Sequence, residues 1–440
     1  MSRIIGIELR RSAAFGAALA LLVVGVVLIY FVEGIQFAAG WMQLAMVQRW
    51  YLVLLWPLAL AAGAWQARRE QRSKVAELFA STPRPRIVRV LPTLSAMAVG
   101  VLAGYLAIGV AGGGWIVDTA RYLPGAVFAV TAVGGLALVA AVWLGLALGR
   151  LLPSPATAPL LGVAGLGMLL FLPWLTRPRG WLTLVFSPMY EMNLPGAYAT
   201  VPGRVSVAQA CWLVALAAAA VLLLASGGWR MRVAALAPVL LGAALAIAVV
   251  PQQNRVVVDA VDPVARKLVC TEDAPRVCVS RVNSGLLPEV AARAREGLAV
   301  LGKLPDPPRE VHEDTTTYPG DGFPVWRADV VLLGVAVTPD GRFDDEGAVA
   351  GVVVGAFDGP RDCAQPTDPA DRLAAASWLT GRAPVAPDPY WDVEDVAAAG
   401  QRWQALRQLP EGEARARVAA LRRAAATCSA GAGLLTGGTP

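Results

Sequence analysis

The chain has one histidine, His312, in 440 residues. Zinc sites built on paired imidazoles need at least two, and Ser/His/Asp or Cys/His nucleophile sets need a histidine placed with partners that this sequence does not offer. His312-Glu313 in VHEDTT shares its first two residues with the H-E-x-x-H zinc-protease motif, but position 316 is Thr, and the pair reads as part of a surface loop. Charge is sparse, at 16% of residues, and carboxylates are sparsest in the first part: residues 1–251 hold 6 Asp+Glu against 18 Lys+Arg. None of the long apolar runs described below contains Asp, Glu, Lys or Arg. Proton-coupled transporters and ion pumps keep such groups in the membrane as relays or ligands, so their absence argues against self-powered secondary transport. It suits an apolar or amphiphilic substrate and energy supplied by another subunit. A phosphate loop is also missing. Gly297–Leu304, GLAVLGKL, ends in Leu where Ser or Thr would hold Mg²⁺, and it lies in a helical pattern with no strand before it. No catalytic site is expected on this chain, and any ATPase activity belongs on another.

What is abundant is apolar sequence, 56% of the chain. Seven runs near the ~20 residues a spanning helix needs are predicted at 13–32, 51–67, 91–112, 126–148, 160–175, 207–226 and 233–250. Residues 33–50, with Trp41, Gln43, Gln48, Arg49 and Trp50 among apolar neighbours, read as an outer interfacial segment. Gly100 and Gly104 stand in a G-x-x-x-G spacing that permits close helix contact, in one reading between copies of the chain. Residues 176–206 form a longer outer loop. Its apolar WLTLVFSPMY is too short to span and suits a re-entrant or interfacial hairpin broken by Pro188. With the N-terminus inside, 13 arginines and lysines fall on inner segments and 5 on outer loops before Pro251, the inside-positive bias of membrane proteins. The pI near 9.3 therefore reflects topology and not nucleic-acid binding.

Residues 252–440 reverse the charge balance, with 20 Lys+Arg and 26 Asp+Glu, and are expected to form an extracytoplasmic α+β domain after the transmembrane domain 1–251. Four of the five cysteines lie here. An oxidising compartment predicts two disulfides among Cys270, Cys278, Cys363 and Cys428; three connectivities are open, and Cys270–Cys278 with Cys363–Cys428 is the one expected. Strands are expected at 255–259, 276–280, 329–337 and 348–357, all rich in Val, and helices at 287–301, 371–379, 393–409 and 413–427. Asp340, Asp344, Asp345 and Glu346 form an acidic loop without the EF-hand spacing, best read as a solvated turn.

Between the second and third runs lies 68–90, RREQRSKVAELFASTPRPRIVRV, a cytoplasmic segment dense in arginine. Val75, Leu78 and Phe79 fall at i, i+3 and i+4 on one face of a short helix, and Pro83 and Pro85 stop it. The N-terminal IELRRS, the first apolar run and AELFASTPRPRIVR resemble the membrane subunits of type-2 ATP-binding-cassette (ABC) exporters, notably the actinobacterial kind with a large extracytoplasmic C-terminal part. The resemblance covers about residues 1–228. It implies an elbow helix at 3–11, a six-helix core, a re-entrant hairpin at 183–192 and a coupling helix at 73–80, with Leu78 and Phe79 as buried contacts, Val75 beside them and Glu77 as a polar contact. It further implies a plasma-membrane permease that works as a homodimer or heterodimer with cytoplasmic ATPase subunits, which bind ATP and Mg²⁺. The seventh run and the domain after it depart from that pattern. The alternative is a polytopic anchor whose purpose is the extracytoplasmic domain, in ligand binding or envelope assembly.

Overall fold

The computed structural model describes residues 13–32, 34–68, 86–189, 196–225, 228–252, 260–317, 324–386, 391–429 and 433–436. The chain divides into two compact units, Met1–Val117 with Leu123–Asp262, and Asp118–Tyr122 with Pro263–Pro440.

Among its described residues, the first unit is helical apart from one antiparallel β-bridge between Ala199 and Val261. Its elements are α1 (Ala14–Val27, continued by a π-helical turn over Leu28–Val32), α2 (Trp41–Trp50), α3 (Leu52–Ala67), α4 (Arg86–Ile116), α5 (Ala126–Leu151), α6 (Thr157–Leu175), α7 (Trp181–Phe186), α8 (Gly203–Ala225), α9 (Trp229–Ala234) and α10 (Leu236–Val249). Six stretches among the described residues are long and apolar enough to cross a membrane: Ala14–Val32, Ile87–Ile116, Ala126–Leu151, Thr157–Leu175, Gly203–Ala225 and Trp229–Val249. There are seven if α2 and α3, joined by a 52° bend at Tyr51, make one span. Pro57 lies in the second turn of α3, where its ring displaces the carbonyl four residues back and removes a hydrogen bond, weakening the helix just below the bend. The unit is that of a polytopic helical membrane protein.

One expectation changes here. The apolar run at 51–67 forms the 16-residue α3 as expected, but within the segment before it, read as interfacial, α2 is a helix with Met42, Leu44, Ala45, Met46, Val47, Gln48 and Arg49 all buried. Between the sixth and seventh predicted runs, residues 229–234 form α9, and α9 and α10 run on with a break at Ala235.

Small residues set the helix spacing. Van der Waals packing, with no hydrophobic drive in lipid, holds such helices together, so backbone approach matters. A Cβ on Gly63 of α3 would come within 2.1 Å of the Val142 carbonyl oxygen of α5, and one on Gly145 within 2.0 Å of the Leu60 carbonyl oxygen. Gly100 and Gly104 bring α4 against α1, where a Cβ at either would stand 2.8 Å from the carbonyl oxygen of Ala14 or Ala18. The G-x-x-x-G spacing thus serves packing within the chain.

The second unit carries a four-stranded sheet in the order β1 (Leu268–Cys270), β2 (Arg276–Ser280), β3 (Glu310–Glu313), β4 (Val330–Leu333). β1 and β2 form an antiparallel hairpin, whereas β2–β3 and β3–β4 pair in parallel. Helix α11 (Leu287–Leu301) makes the crossover from β2 to β3, and α12 (Ala348–Gly355), α13 (Pro369–Thr380), α14 (Val393–Gln408) and α15 (Glu411–Ala426) follow the sheet. Val290, Ala294, Leu298 and Leu301 of α11 share a core with Val277, Val279, Val311, Val331 and Leu333 of the strands and with Val352 of α12. Helix starts follow capping rules: Asp368 accepts from the Ala370 amide and Asp392 from the Glu394 amide, and Pro369 occupies the first turn of α13. The four helices expected from periodicity are present within two residues at each end.

The strand assignments hold less well. Residues 276–280 are β2, and only 330–333 of 329–337 are strand. Of residues 348–357, expected as a strand, 348–355 form α12, because AVAGVVVG packs its Val352 and Val353 onto α11 and β4. Tertiary burial there overrides the β-preference of a valine run. β1 and β3 were not expected, and residues 255–259 lie outside the described set.

Candidate functional site

The most unusual group in the membrane unit is Arg49, near the C-terminal end of α2. Its side chain is fully buried, at 0% exposure. Ionisable side chains are rare among membrane helices and point to function by default. The guanidinium Nε donates to the Pro188 carbonyl at 3.1 Å, and an Nη atom donates to Gln209 Oε1 of α8. Gln209, also 0% exposed, donates from Nε2 to the carbonyls of Ser187 at 3.1 Å and Met189 at 3.4 Å. These three carbonyls turn inward because the chain leaves α7 at Ser187 in an extended conformation, and the Ser187 hydroxyl accepts from the Met189 amide at 3.2 Å. Pro188 has no N–H of its own to satisfy.

The neighbouring Gln48 works in another direction, its Nε2 donating to the Tyr105 carbonyl of α4 at 2.5 Å. The last turn of α2 is therefore tied to α4, to the turn after α7 and to α8. Around this polar knot pack Met42, Met46, Val130, Leu184, Val185 and Val205. Gln209 lies six residues into α8, so the knot sits roughly 9 Å inside that helix end at 1.5 Å per residue. Tyr105 completes the neighbourhood, its ring edge-on to Gly134 of α5, where a Cβ would meet the hydroxyl at 2.1 Å.

Arginine stays protonated and relays no protons. Asp262 is the only carboxylate among the unit's described residues. Hydrogen bonding and fixed positive charge are what this arrangement offers, as a tie between helices or as a seat for an acceptor group.

The residues singled out from sequence are distributed differently. Val75, Glu77, Leu78 and Phe79, with the elbow at 3–11, lie outside the described residues. The hairpin expected at 183–192 is represented by α7 and the turn through Met189, and the rest of it also lies outside. Cys270 is bonded to Cys278, and Cys363 to Cys428. The first disulfide joins directly paired residues of β1 and β2. Two disulfides fit an oxidising compartment. His312 is not in a loop but in β3, with Nε2 2.9 Å from Glu310 Oε2. Gly297–Leu304 spans the end of α11 and the turn after it. In the acidic turn, Asp345 pairs with Arg293 at 2.5 Å and Asp340 accepts from the Thr338 hydroxyl at 2.5 Å. No group of three or more His, Cys, Asp or Glu among the described residues is arranged to hold a metal ion.

One ion network links α13 and α14. An Arg402 Nη atom lies 3.0 Å from Asp368 and 2.9 Å from Asp371. Burial pushes both carboxyls up. At Asp368 the Arg402 hydrogen bond and the helix N-terminal amides outweigh burial and hold it below its ordinary value, whereas at Asp371 burial prevails and the carboxyl titrates above it.

Sequence reasoning counted Arg49 as an outer-loop charge and did not single out Gln209. The available signal was the polar pair Gln48-Arg49 inside AMVQRWYLVLLW, bounded by apolar residues on both sides. Comparison with protein families, curated proteins and solved structures finds no match to this chain.

Proposed function

We propose that this chain is the permease subunit of an ABC exporter, moving an apolar or amphiphilic substrate with ATP hydrolysed by separate cytoplasmic subunits. The observation that carries the proposal is the Arg49–Gln209 knot, which joins α2, the turn after α7 and α8 at one end of the helix bundle. An exporter needs such an end closed at rest and openable on command. Arg49 stands two residues before the 52° bend that continues α2 into α3, and α3 leads into the basic segment 68–85. A push delivered to that segment by an ATPase would travel along α3 to the bend and load the Arg49 bonds. Six or seven apolar helices and the short α7 between α6 and α8 are further support. Two such subunits would work together, with ATP and Mg²⁺ bound on the partner ATPases and the disulfide-bonded second unit outside the cell. That second unit has its own core, which favours the alternative of a polytopic anchor for an extracytoplasmic binding or assembly domain.

Purification of the tagged chain from its native membrane in mild detergent separates the two. Recovery of a stoichiometric ATP-hydrolysing subunit is expected, with its loss in Leu78→Ala/Phe79→Ala while membrane insertion stays normal. A chain recovered alone, or a double variant that keeps both ATPase and transport, would sink the exporter proposal.

A further inference from the structure

Beside the knot, α2, α4 and α5 leave a groove of about 1060 Å³ between them. Its walls run from Leu102 to Gly114 on α4 and from Val127 to Val139 on α5, with Trp41, Leu44 and Gln48 of α2 closing one side. Twelve residues of helical rise on each wall correspond to roughly 18 Å of length. That is somewhat more than half of a hydrocarbon core of ~30 Å, the depth of one leaflet. A second copy's spanning helix would need the full thickness, so the groove's length matches a lipid chain entering from one side.

The lining is apolar apart from Thr131 on α5 and Gln48 at the floor. Gln48 is 2% exposed, and its Nε2 is committed to the Tyr105 carbonyl. Its Oε1 accepts no hydrogen bond among the described residues, and it borders the groove beside Gly109, where a Cβ would stand 3.1 Å from that oxygen. An acceptor that faces hydrocarbon without a partner costs about 1–3 kcal/mol, and a ligand donor would remove that cost. Gly109 leaves the oxygen uncovered, because any side chain at 109 would lie over it.

We propose that this groove binds the acyl chain of a membrane amphiphile whose neutral head carries a hydroxyl or amide N–H, donated to Gln48 Oε1. The assignment concerns binding and goes beyond transport: it stands whether or not the chain moves what it binds. Apolar walls select the chain, and Gln48 Oε1 selects a donor-bearing head over an ester-only one.

The test uses the full chain in lipid nanodiscs and two photoactivatable probes with the same diazirine-bearing palmitoyl chain, a monoacylglycerol and a methyl ester. Adducts should concentrate on residues 102–114 and 127–139 at several times the density on the exposed face of α6, and be competed by unlabelled monoacylglycerol. The monoacylglycerol should label about fivefold more than the ester, the effect of one hydrogen bond. Gln48→Leu should erase that preference. Gly114→Leu, at a groove position with nothing within 4 Å of a Cβ, should reduce labelling by both probes without disturbing packing. Equal labelling of α6 and the groove would mean ordinary annular lipid, and equal labelling by the two probes in the unmodified chain would remove Gln48 from recognition. Disulfide crosslinking between copies through Leu106→Cys would place a second protein chain in the groove. Each of these three results overturns the proposal, and the comparison of probes on the unmodified chain needs no variant to fold.

Discussion

Replacing Arg49 by Met keeps the volume of the buried stem and removes the guanidinium. The Pro188 carbonyl and Gln209 Oε1 then lose their donor in a site closed to water. Each buried acceptor left without a partner costs about 1–3 kcal/mol, or about 2–6 for the pair. Against this, the variant no longer buries a cation, whose desolvation costs several kcal/mol even after relaxation. Breaking one side of such an arrangement usually leaves a net loss, so a destabilisation of about 2–4 kcal/mol is expected for Arg49→Met. Gln209→Leu removes the other side and also strips the Ser187 and Met189 carbonyls of their donor. If the two side chains form one unit, the double variant should fall short of the sum of the singles by about 1–3 kcal/mol. Equilibrium unfolding by SDS titration in mixed micelles, followed by tryptophan fluorescence, reads all four corners of the cycle. A coupling under about 0.5 kcal/mol, or an Arg49→Met variant as stable as the parent, would refute the knot as a structural tie.

In the second unit, Asp371→Asn should stabilise the chain at neutral pH relative to its effect in acid. Burial raises the folded-state pKa of this carboxyl, so its ionised form is disfavoured by folding above that pKa and the penalty vanishes below the unfolded value. Thermal melts of parent and variant across that range should therefore converge as pH falls, and a gap that widens in acid would reverse the assignment. The Cys363–Cys428 bond closes a span of 65 residues and Cys270–Cys278 one of 8, so their removal by paired serine substitution should cost about 4 and about 2.5 kcal/mol on the chain-entropy account. Denaturant midpoints with the order inverted would contradict it. Gly63→Val would drive α3 off the Val142 carbonyl of α5 and should cost about 3 kcal/mol or more in the SDS titration, with a neutral result excluding the close approach.

Helix periodicity and apolar length were readable without coordinates because both are properties of consecutive residues. Leu287–Leu301 and Val393–Gln408 appear where alternation at three and four residues places them, and most apolar runs became long helices. The two disulfides pair near neighbours in one case and the remaining cysteines in the other, as expected from sequence. Strands were less legible. β1 and β3 are three and four residues long, too short to show alternation, and the valines of 348–355 carry a β signal that packing on α11 and β4 overrules.

Sequence by itself determined that this is a membrane protein with a charge-reversed C-terminal part, since hydrocarbon admits only long apolar segments with internally satisfied backbones. Tertiary structure alone decided the fate of the polar residues inside the membrane unit. Arg49, Gln48 and Gln209 are ordinary letters in a local window, and an arginine between a glutamine and a tryptophan reads as an interface residue. Their burial depends on α2 folding back among α4, α7 and α8, which brings together positions up to 160 residues apart. The energy of a buried hydrogen bond belongs to the pair, so neither partner's neighbours along the chain reveal it.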